Sequence, residues 1–223
     1  MTNAGVLFDL DGTLVDTAPD LVGALFAVCD GAGVARPDYA TAARYVSLGG
    51  RGLVGLAFER HDKETQEAAY QSLLTHYAAH IAEASRPYAA WPAFLAALEL
   101  PWGIVTNKPQ RLAEQLLGAL ELPEPGCIVG GDLLPLAKPA PDPLIYAAGR
   151  IDVLPQHCVY LGDHARDMEA ARAAGMHALG VSYGYLLESD DPATWPADAV
   201  AASDGEAVVL LTDILHTLQE GGG

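Results

Sequence analysis

Short apolar runs recur along this chain, each followed by a polar or glycine-bearing turn and then by a stretch with helical spacing. Gly5 to Leu10 opens the series, and runs near 102–106, 127–129, 158–162 and 177–181 repeat it. Continuous apolar runs this short, bounded by turn signals, predict strands buried on both faces. Between them, 109–118, 142–150 and 165–174 carry helix-like patterns. This β/α alternation after Pro92 implies an α/β fold with a doubly wound, Rossmann-like parallel sheet. Ligands of such sheets collect at the carboxyl edge of the strands.

Residues from about 18 to 85 break the alternation. Leu21, Ala24, Leu25 and Val28, then Leu53, Leu56 and Ala57, then Leu73, Leu74, Tyr77 and Ile81 are spaced as on helices, with no convincing strand. The pattern predicts an all-helical cap at 18–85, inserted after the first strand into a core made of 1–17 and 86–223. Hinges are expected near Asp16 to Pro19 and near Ser85 to Pro87. A cap over the sheet edge would exclude water and help to choose a ligand.

The first apolar run stops on Asp9-Leu10-Asp11-Gly12. In an extended chain residues i and i+2 point the same way, so both carboxylates emerge on one face where the strand ends. Acids this close repel unless a cation neutralises them or one holds a proton. Either remedy suggests a metal-bound nucleophilic aspartate beside a carboxyl acting as general acid and base. The other reading is a surface turn or a calcium loop. A calcium loop counted from Asp9 would close on Asp20 where it needs Glu, with Leu14 and Val15 at positions that call for oxygen ligands.

Three later segments share this edge character: Val105-Thr106-Asn107-Lys108-Pro109, Lys138-Pro139-Ala140-Pro141-Asp142-Pro143 and Val159-Tyr160-Leu161-Gly162-Asp163-His164-Ala165-Arg166-Asp167. Together with Asp9-Leu10-Asp11-Gly12-Thr13-Leu14-Val15-Asp16-Thr17 they resemble, in order, the four motifs of the haloacid-dehalogenase-like hydrolases in their phosphatase form. They span nearly all of the chain, and the likeness is greatest to bacterial phosphoglycolate phosphatases and their near relatives. The resemblance implies a Mg²⁺-dependent phosphatase working through an aspartyl-phosphate. Asp9 would be nucleophile, Asp11 acid and base, and Lys138 the lysine that pairs with both the nucleophile and the transferring phosphoryl group.

The residue chemistry runs alongside. Thr106 and Asn107 offer a hydroxyl, an amide and free backbone N–H groups to phosphate oxygens, or else cap the helix beginning near Pro109. Gly12 belongs to the same expected substrate set. Lys138 sits among prolines on a stiffened loop, which favours a positioned charge over a mobile one. Asp163 can reach the same cation as Asp9, so the expected Mg²⁺ set is the Asp9 carboxylate, the Asp11 backbone carbonyl and the Asp163 carboxylate, with substrate and waters. Asp167, four residues on, either holds a metal-bound water or caps a helix. His164 departs from the Asp, Ser or Thr common in relatives, and no second His or Cys has zinc spacing beside it. In the cap, Ser47-Leu48-Gly49-Gly50-Arg51 reads either as a substrate segment, Arg51 binding a carboxylate or sugar oxygen, or as a helix-to-helix turn with Arg51 in solvent.

Tyr183-Gly184-Tyr185 and Trp195 resemble both phosphoglycolate phosphatases and a sister group acting on N-acetylmuramic acid 6-phosphate. Both substrates are carboxylate-bearing phosphate monoesters. A phosphomutase of the beta-phosphoglucomutase kind would share every catalytic residue. From other classes, a phosphorylated signalling receiver conflicts with the inserted cap, and a non-catalytic phosphosugar sensor with the intact acidic set.

Charge narrows the partners further. Lys plus Arg number 12 against 29 Asp plus Glu, a formal charge of −17. Such a balance argues against nucleic-acid and anionic-membrane partners and leaves a small phosphate ester. Cys29, Cys127 and Cys158 are widely spaced without zinc spacing, as expected of small buried groups in a reducing cytoplasm. No signal peptide or membrane span is read, and a monomer or homodimer is expected. The Gly221-Gly222-Gly223 tail reads as disordered.

Overall fold

The computed structural model describes residues 4–220, so the glycine tail lies outside the described residues. The opening run is β1 (Gly5–Phe8), and a two-residue β2 (Val15–Asp16) leads into four helices: α1 (Ala18–Ala32), α2 (Tyr39–Tyr45), α3 (Gly49–Ala57) and α4 (Lys63–Ala79). The chain returns through β3 (Arg86–Pro87) and continues as α5 (Trp91–Ala97), β4 (Trp102–Val105), α6 (Gln110–Ala119), β5 (Ile128–Val129), α7 (Asp142–Arg150), β6 (Cys158–Gly162), α8 (Ala165–Ala173), β7 (His177–Val181), β8 (Ala199–Ala201) and α9 (Asp204–Glu220).

Six strands form one sheet in the order β5-β4-β1-β6-β7-β8, every pair parallel. The order reverses at β1, with β4 and β5 to one side and β6, β7 and β8 to the other, which opens a crevice at its carboxyl end. Both faces of the sheet are covered, which is why its strands read as continuous apolar runs. Val6 and Phe8 pack into one layer with Trp91, Trp102 and Leu211, and Leu7 into the other with Leu144, Tyr160 and Met168.

The expected strands and helices appear within a residue or so of their predicted limits. The apolar alternation does not predict α5, β8 and α9. The edge strand β8 is three small residues long, and α5 carries a proline in its first turn, so neither has a long periodic signal.

The inserted cap is wholly helical and has its own cluster of buried side chains, among them Leu25, Leu53, Phe58, Leu73 and Tyr77. Asp38 and Asp62 start α2 and α4 by accepting from Thr41 N at 3.0 Å and Thr65 N at 2.8 Å. Gly33 ends α1 in the left-handed conformation at φ 67°. At the two connections β2 and β3 pair antiparallel, Asp16 opposite Arg86, so a short ribbon ties the cap's entry to its exit. Leu112 of α6 and Tyr185 of the loop after β7 also pack into the cap cluster.

Trp91 anchors the layer that holds Phe8. It is fully buried, meets Phe8 edge-on at 5.0 Å and donates its indole N–H to Thr13 O at 3.1 Å. Trp91→Ala is expected to cost about 3–5 kcal/mol, measurable by urea unfolding, because it removes a large, fully buried side chain and leaves a cavity.

Candidate active site

Register brings the sequence-predicted residues together. Phe8 stands opposite Ile104 on one side and Leu161 on the other, so Asp9, Thr106 and Asp163 leave the sheet at nearly one level. Asp9 N donates to Leu161 O at 2.8 Å, and Leu10 N donates to the Asp9 carboxylate at 2.7 Å, fixing the side chain at the strand end.

Lys138 reaches this point from the proline-rich loop and is buried. Its ammonium lies 3.0 Å from Asp9 Oδ1, 2.8 Å from Asp167 Oδ1, 2.7 Å from the Tyr160 hydroxyl and 3.0 Å from Val105 O. Tyr160 in turn donates to Val105 O at 2.8 Å. Burial opposes the lysine's charge, but Asp167 and Asp9 outweigh it and hold its pKa above the ordinary lysine value.

Asp9, Asp163 and Asp167 present carboxylate oxygens that all lie within 4.8 Å of one another. Burial pushes the Asp9 pKa up to about 6 against the pull of Lys138, with Asp167 and Asp11 adding to the rise. Burial, then Asp9 and Asp167, drive that of Asp163 well above the usual carboxylate range, although Tyr185 N donates to Asp163 Oδ2 at 2.9 Å. An all-oxygen cluster with surplus negative charge fits a hard divalent cation and not a zinc set of nitrogen or sulfur. Gly12, at φ 81°, and Gly184 pass so close that a Cβ on either would overlap the Asp163 carboxylate.

Asp167 caps its helix and also pairs with Lys138. Its Oδ2 accepts from His164 N at 3.1 Å while Oδ1 meets Lys138. His164 completes the capping box of α8, its Nδ1 accepting from Arg166 N at 3.2 Å. Burial and then Arg166 hold the imidazole pKa below its ordinary value, which suits an unprotonated acceptor.

The Asp11 carboxylate lines the same cavity with partners of its own. Oδ1 accepts from Thr17 Oγ1 at 2.6 Å and from Lys108 Nζ at 2.8 Å, and Lys108 lies 4.3 Å above the Tyr77 ring of α4. Burial opposes the Lys108 charge, yet Asp11 and then Tyr77 hold its pKa above normal. Sequence reasoning missed Lys108, Thr17, Tyr160 and Tyr185. Lys108 carried a usable signal: it is one of few cations in an acidic chain, two residues beyond Thr106.

Asn107 lines the same cavity, and its side chain is committed within the protein. Its amide Nδ2 donates to Lys138 O at 3.0 Å and its Oδ1 accepts from Lys138 N at 3.1 Å, so both ends clamp the lysine's loop. Thr106 is buried, and its oxygen accepts from Lys108 N at 3.2 Å while its proton stays available.

Between sheet edge and cap lies a cavity of about 300 Å³ with Asp9, Asp11, Thr106, Lys138 and Asp163 in its floor. Val46, Gly49, Gly50, Arg51, Tyr70, Leu73 and Tyr77 face it from the cap. Gly49 and Gly50 open α3 after a single turn of 3₁₀ helix. Arg51 is exposed, pairs with Glu67 at 2.7 Å and stacks over Tyr70 at 4.1 Å. Arg166 donates to Ser47 O at 2.7 Å and so links α8 to this part of the cap. Thiol chemistry is absent here: burial raises Cys127 to about 11 and Cys158 to about 12. Among the described residues, no helix is long and apolar enough to cross a membrane.

Residues 6–181 match the family model for haloacid dehalogenase-like hydrolases, and the chain belongs to that family. Within it the chain stands with the phosphatases. It is 40% identical over 199 residues to a phosphoglycolate phosphatase of Xanthomonas campestris pv. campestris, covering 87% of this chain and 90% of the relative. It is 38% identical over 211 residues to an N-acetylmuramic acid 6-phosphate phosphatase of Pseudomonas aeruginosa, covering 92% and 93%. A crystal structure of a predicted phosphoglycolate phosphatase from Haemophilus somnus superposes with a TM-score of 0.83 at 24% identity, covering 96% of this chain and 99% of that one.

A raised carboxylate pKa stabilises the fold only while the acid is protonated, so the cation-free protein should lose stability as pH rises from about 4 to about 6 through the Asp9 titration. A bound divalent cation should reverse that loss, adding about 2.7 kcal/mol at a hundredfold excess over its dissociation constant. Thermal melts of chelated and cation-loaded protein at pH 5 and pH 7 read both effects. A cation effect no larger at pH 7 than at pH 5 would contradict the electrostatic account.

Proposed function

We propose that this phosphatase hydrolyses a small phosphate monoester through an aspartyl-phosphate on Asp9, with Mg²⁺ as its cofactor and a phosphoglycolate-like ester as its substrate. The carrying observation is the Asp9–Lys138 pair in the floor of the cavity, with Asp11 held two residues along by partners of its own. Residues 18–85 act as the cap, and Asp9, Asp163 and Asp167 together with the Asp11 backbone carbonyl would hold the ion. When bound, Mg²⁺ would offset the charge of the acids and of the phosphate dianion.

Asp9 attacks phosphorus in line, forming the Asp9 Oδ–P bond as the P–O bond to the alcohol breaks. Asp11 gives its proton to the departing oxygen. Both protein contacts to Asp11 fall on Oδ1, which leaves Oδ2 to carry that proton. Water then attacks the aspartyl-phosphate, Asp11 takes a proton from it, and phosphate departs with Asp9 regenerated. Lys138 favours the ionised form of Asp9 against its burial and, with Thr106 and backbone amides, faces the equatorial oxygens. Positioning and charge stabilisation supply most of the catalysis in phosphoryl transfer, where the uncatalysed ester can require acceleration approaching ~10²¹-fold.

A sugar phosphate is the second reading, favoured by the similarity to the muramic acid 6-phosphate enzyme over nearly the whole chain. A phosphate-release screen with Mg²⁺ over phosphoglycolate, N-acetylmuramic acid 6-phosphate and common sugar phosphates separates the two, and product analysis separates release from phosphoryl migration on a sugar. Asp9→Asn is expected to abolish turnover with the circular dichroism spectrum and melting behaviour retained; near-normal rates in that variant would refute the nucleophile. Arg51→Ala is expected to raise KM for the preferred ester well beyond its effect on nitrophenyl phosphate. Equal effects on both would remove Arg51 from substrate recognition.

A further inference from the structure

Helix α1 starts at the cap's entry hinge without a side-chain cap of its own. Thr17 occupies the N-cap position, where a threonine ordinarily takes extended backbone and turns its oxygen onto the amides of the first turn. Here Thr17 has φ −105° and ψ −2°, makes no capping bond, and donates its hydroxyl to Asp11 Oδ1 at 2.6 Å instead. The first amides at the hinge, Thr17 N and Ala18 N, both donate to the phenol oxygen of Tyr185, at 2.6 Å and 2.8 Å. That oxygen arrives from a loop 168 residues further along the chain. Its own proton goes to Asp16 Oδ1 at 2.7 Å. One donor and two acceptor sites are all a phenol has, and every one is used.

Tyr185 is itself tied to the acidic floor. Its backbone N–H donates to Asp163, and its ring is buried in the cap cluster. One residue therefore meets a carboxylate of the cluster through its main chain and the hinge through its side chain.

We propose that Tyr185 is a positioning residue for Asp11. By accepting from Thr17 N and Ala18 N, it fixes from a distant loop the main chain that carries the Thr17 hydroxyl, and so the hydroxyl's hold on the Asp11 carboxyl. The inference rests on the reading of Asp11 as the acid that protonates the leaving group. Without the phenol, the two hinge amides lose their acceptor, and the N-terminal turn of α1 moves to recover one, taking Thr17 with it. Asp16 Oδ1, already 3.3 Å from Ala18 N, offers a partial substitute, so the helix itself should persist.

The test exploits leaving-group chemistry. An alkoxide needs a proton as it departs, whereas a nitrophenolate leaves as a stable anion, so a misplaced general acid harms only the first. Tyr185→Phe and wild type are compared with Mg²⁺ on the best alkyl phosphate of the screen and on nitrophenyl phosphate. Because a well-placed general acid contributes ~10²–10⁴-fold, kcat on the alkyl ester should fall about tenfold or more while the aryl ester changes by less than about twofold. Thr17→Val should show the same selectivity, and Thr17→Ser should restore the alkyl rate. Equal losses on both esters in Tyr185→Phe, or no loss on either, overturn the inference. Asp11→Asn separates the two levels. If it is not selective for the alkyl ester, the acid role falls and this inference with it. If it is selective while Tyr185→Phe is not, only the positioning role falls.

Discussion

Two buried ammonium groups hold an acidic edge together. Lys138 sits between Asp9 and Asp167, and Lys108 lies against Asp11, each nearly without solvent exposure. Carboxylates that close, in a protein with a formal charge of −17, would repel one another and resist burial. The lysines pair only part of that charge, since Asp9 and Asp163 keep raised pKa values. Buried ion pairs of this kind rarely add much net stability, because desolvation opposes the Coulomb gain. Their presence fits an edge that could take a cation, whose charge would offset the acids the lysines leave unpaired.

The sheet makes the arrangement possible. Its parallel register ends β1, β4 and β6 at one level, and each strand then delivers a different group: a carboxylate pair, a hydroxyl and amide, and a third carboxylate. Lys138 is placed more indirectly. Asn107, directly after Thr106, clamps the lysine's main chain through both ends of its amide, so the second motif positions the third. Tyr160 completes the seat from the neighbouring strand.

The cap is bound to this edge by polar contacts as well as by packing. Arg166 grips Ser47 O, Gln115 donates to Ala78 O at 2.9 Å, and Arg44 pairs with Glu188 at 3.0 Å. The last is largely exposed and adds little, whereas the hinge bonds of Tyr185 are buried and link the cap's first helix to the acids below it.

Much of this was legible in one dimension. Strand runs, helical spacing and the i, i+2 placement of Asp9 and Asp11 are local properties of a chain, and buried parallel strands must be apolar on both faces, so the α/β alternation and the helical insert could be read directly. The acids and Lys138 could be singled out because charge beside apolar strands or between prolines is costly without a purpose. Partnership was not legible. Asn107 looked like a phosphate ligand, with no local sign that its amide clamps the Lys138 loop, and Lys108, Tyr160 and Tyr185 looked like ordinary residues of their segments. Their roles come from contacts spanning 22 to 168 residues of chain, which no local pattern encodes. Local pattern was enough to name the groups that stand at the sheet edge. Which of them touch was settled in three dimensions, because hydrogen bonds and ion pairs depend on distances that register and loop packing set.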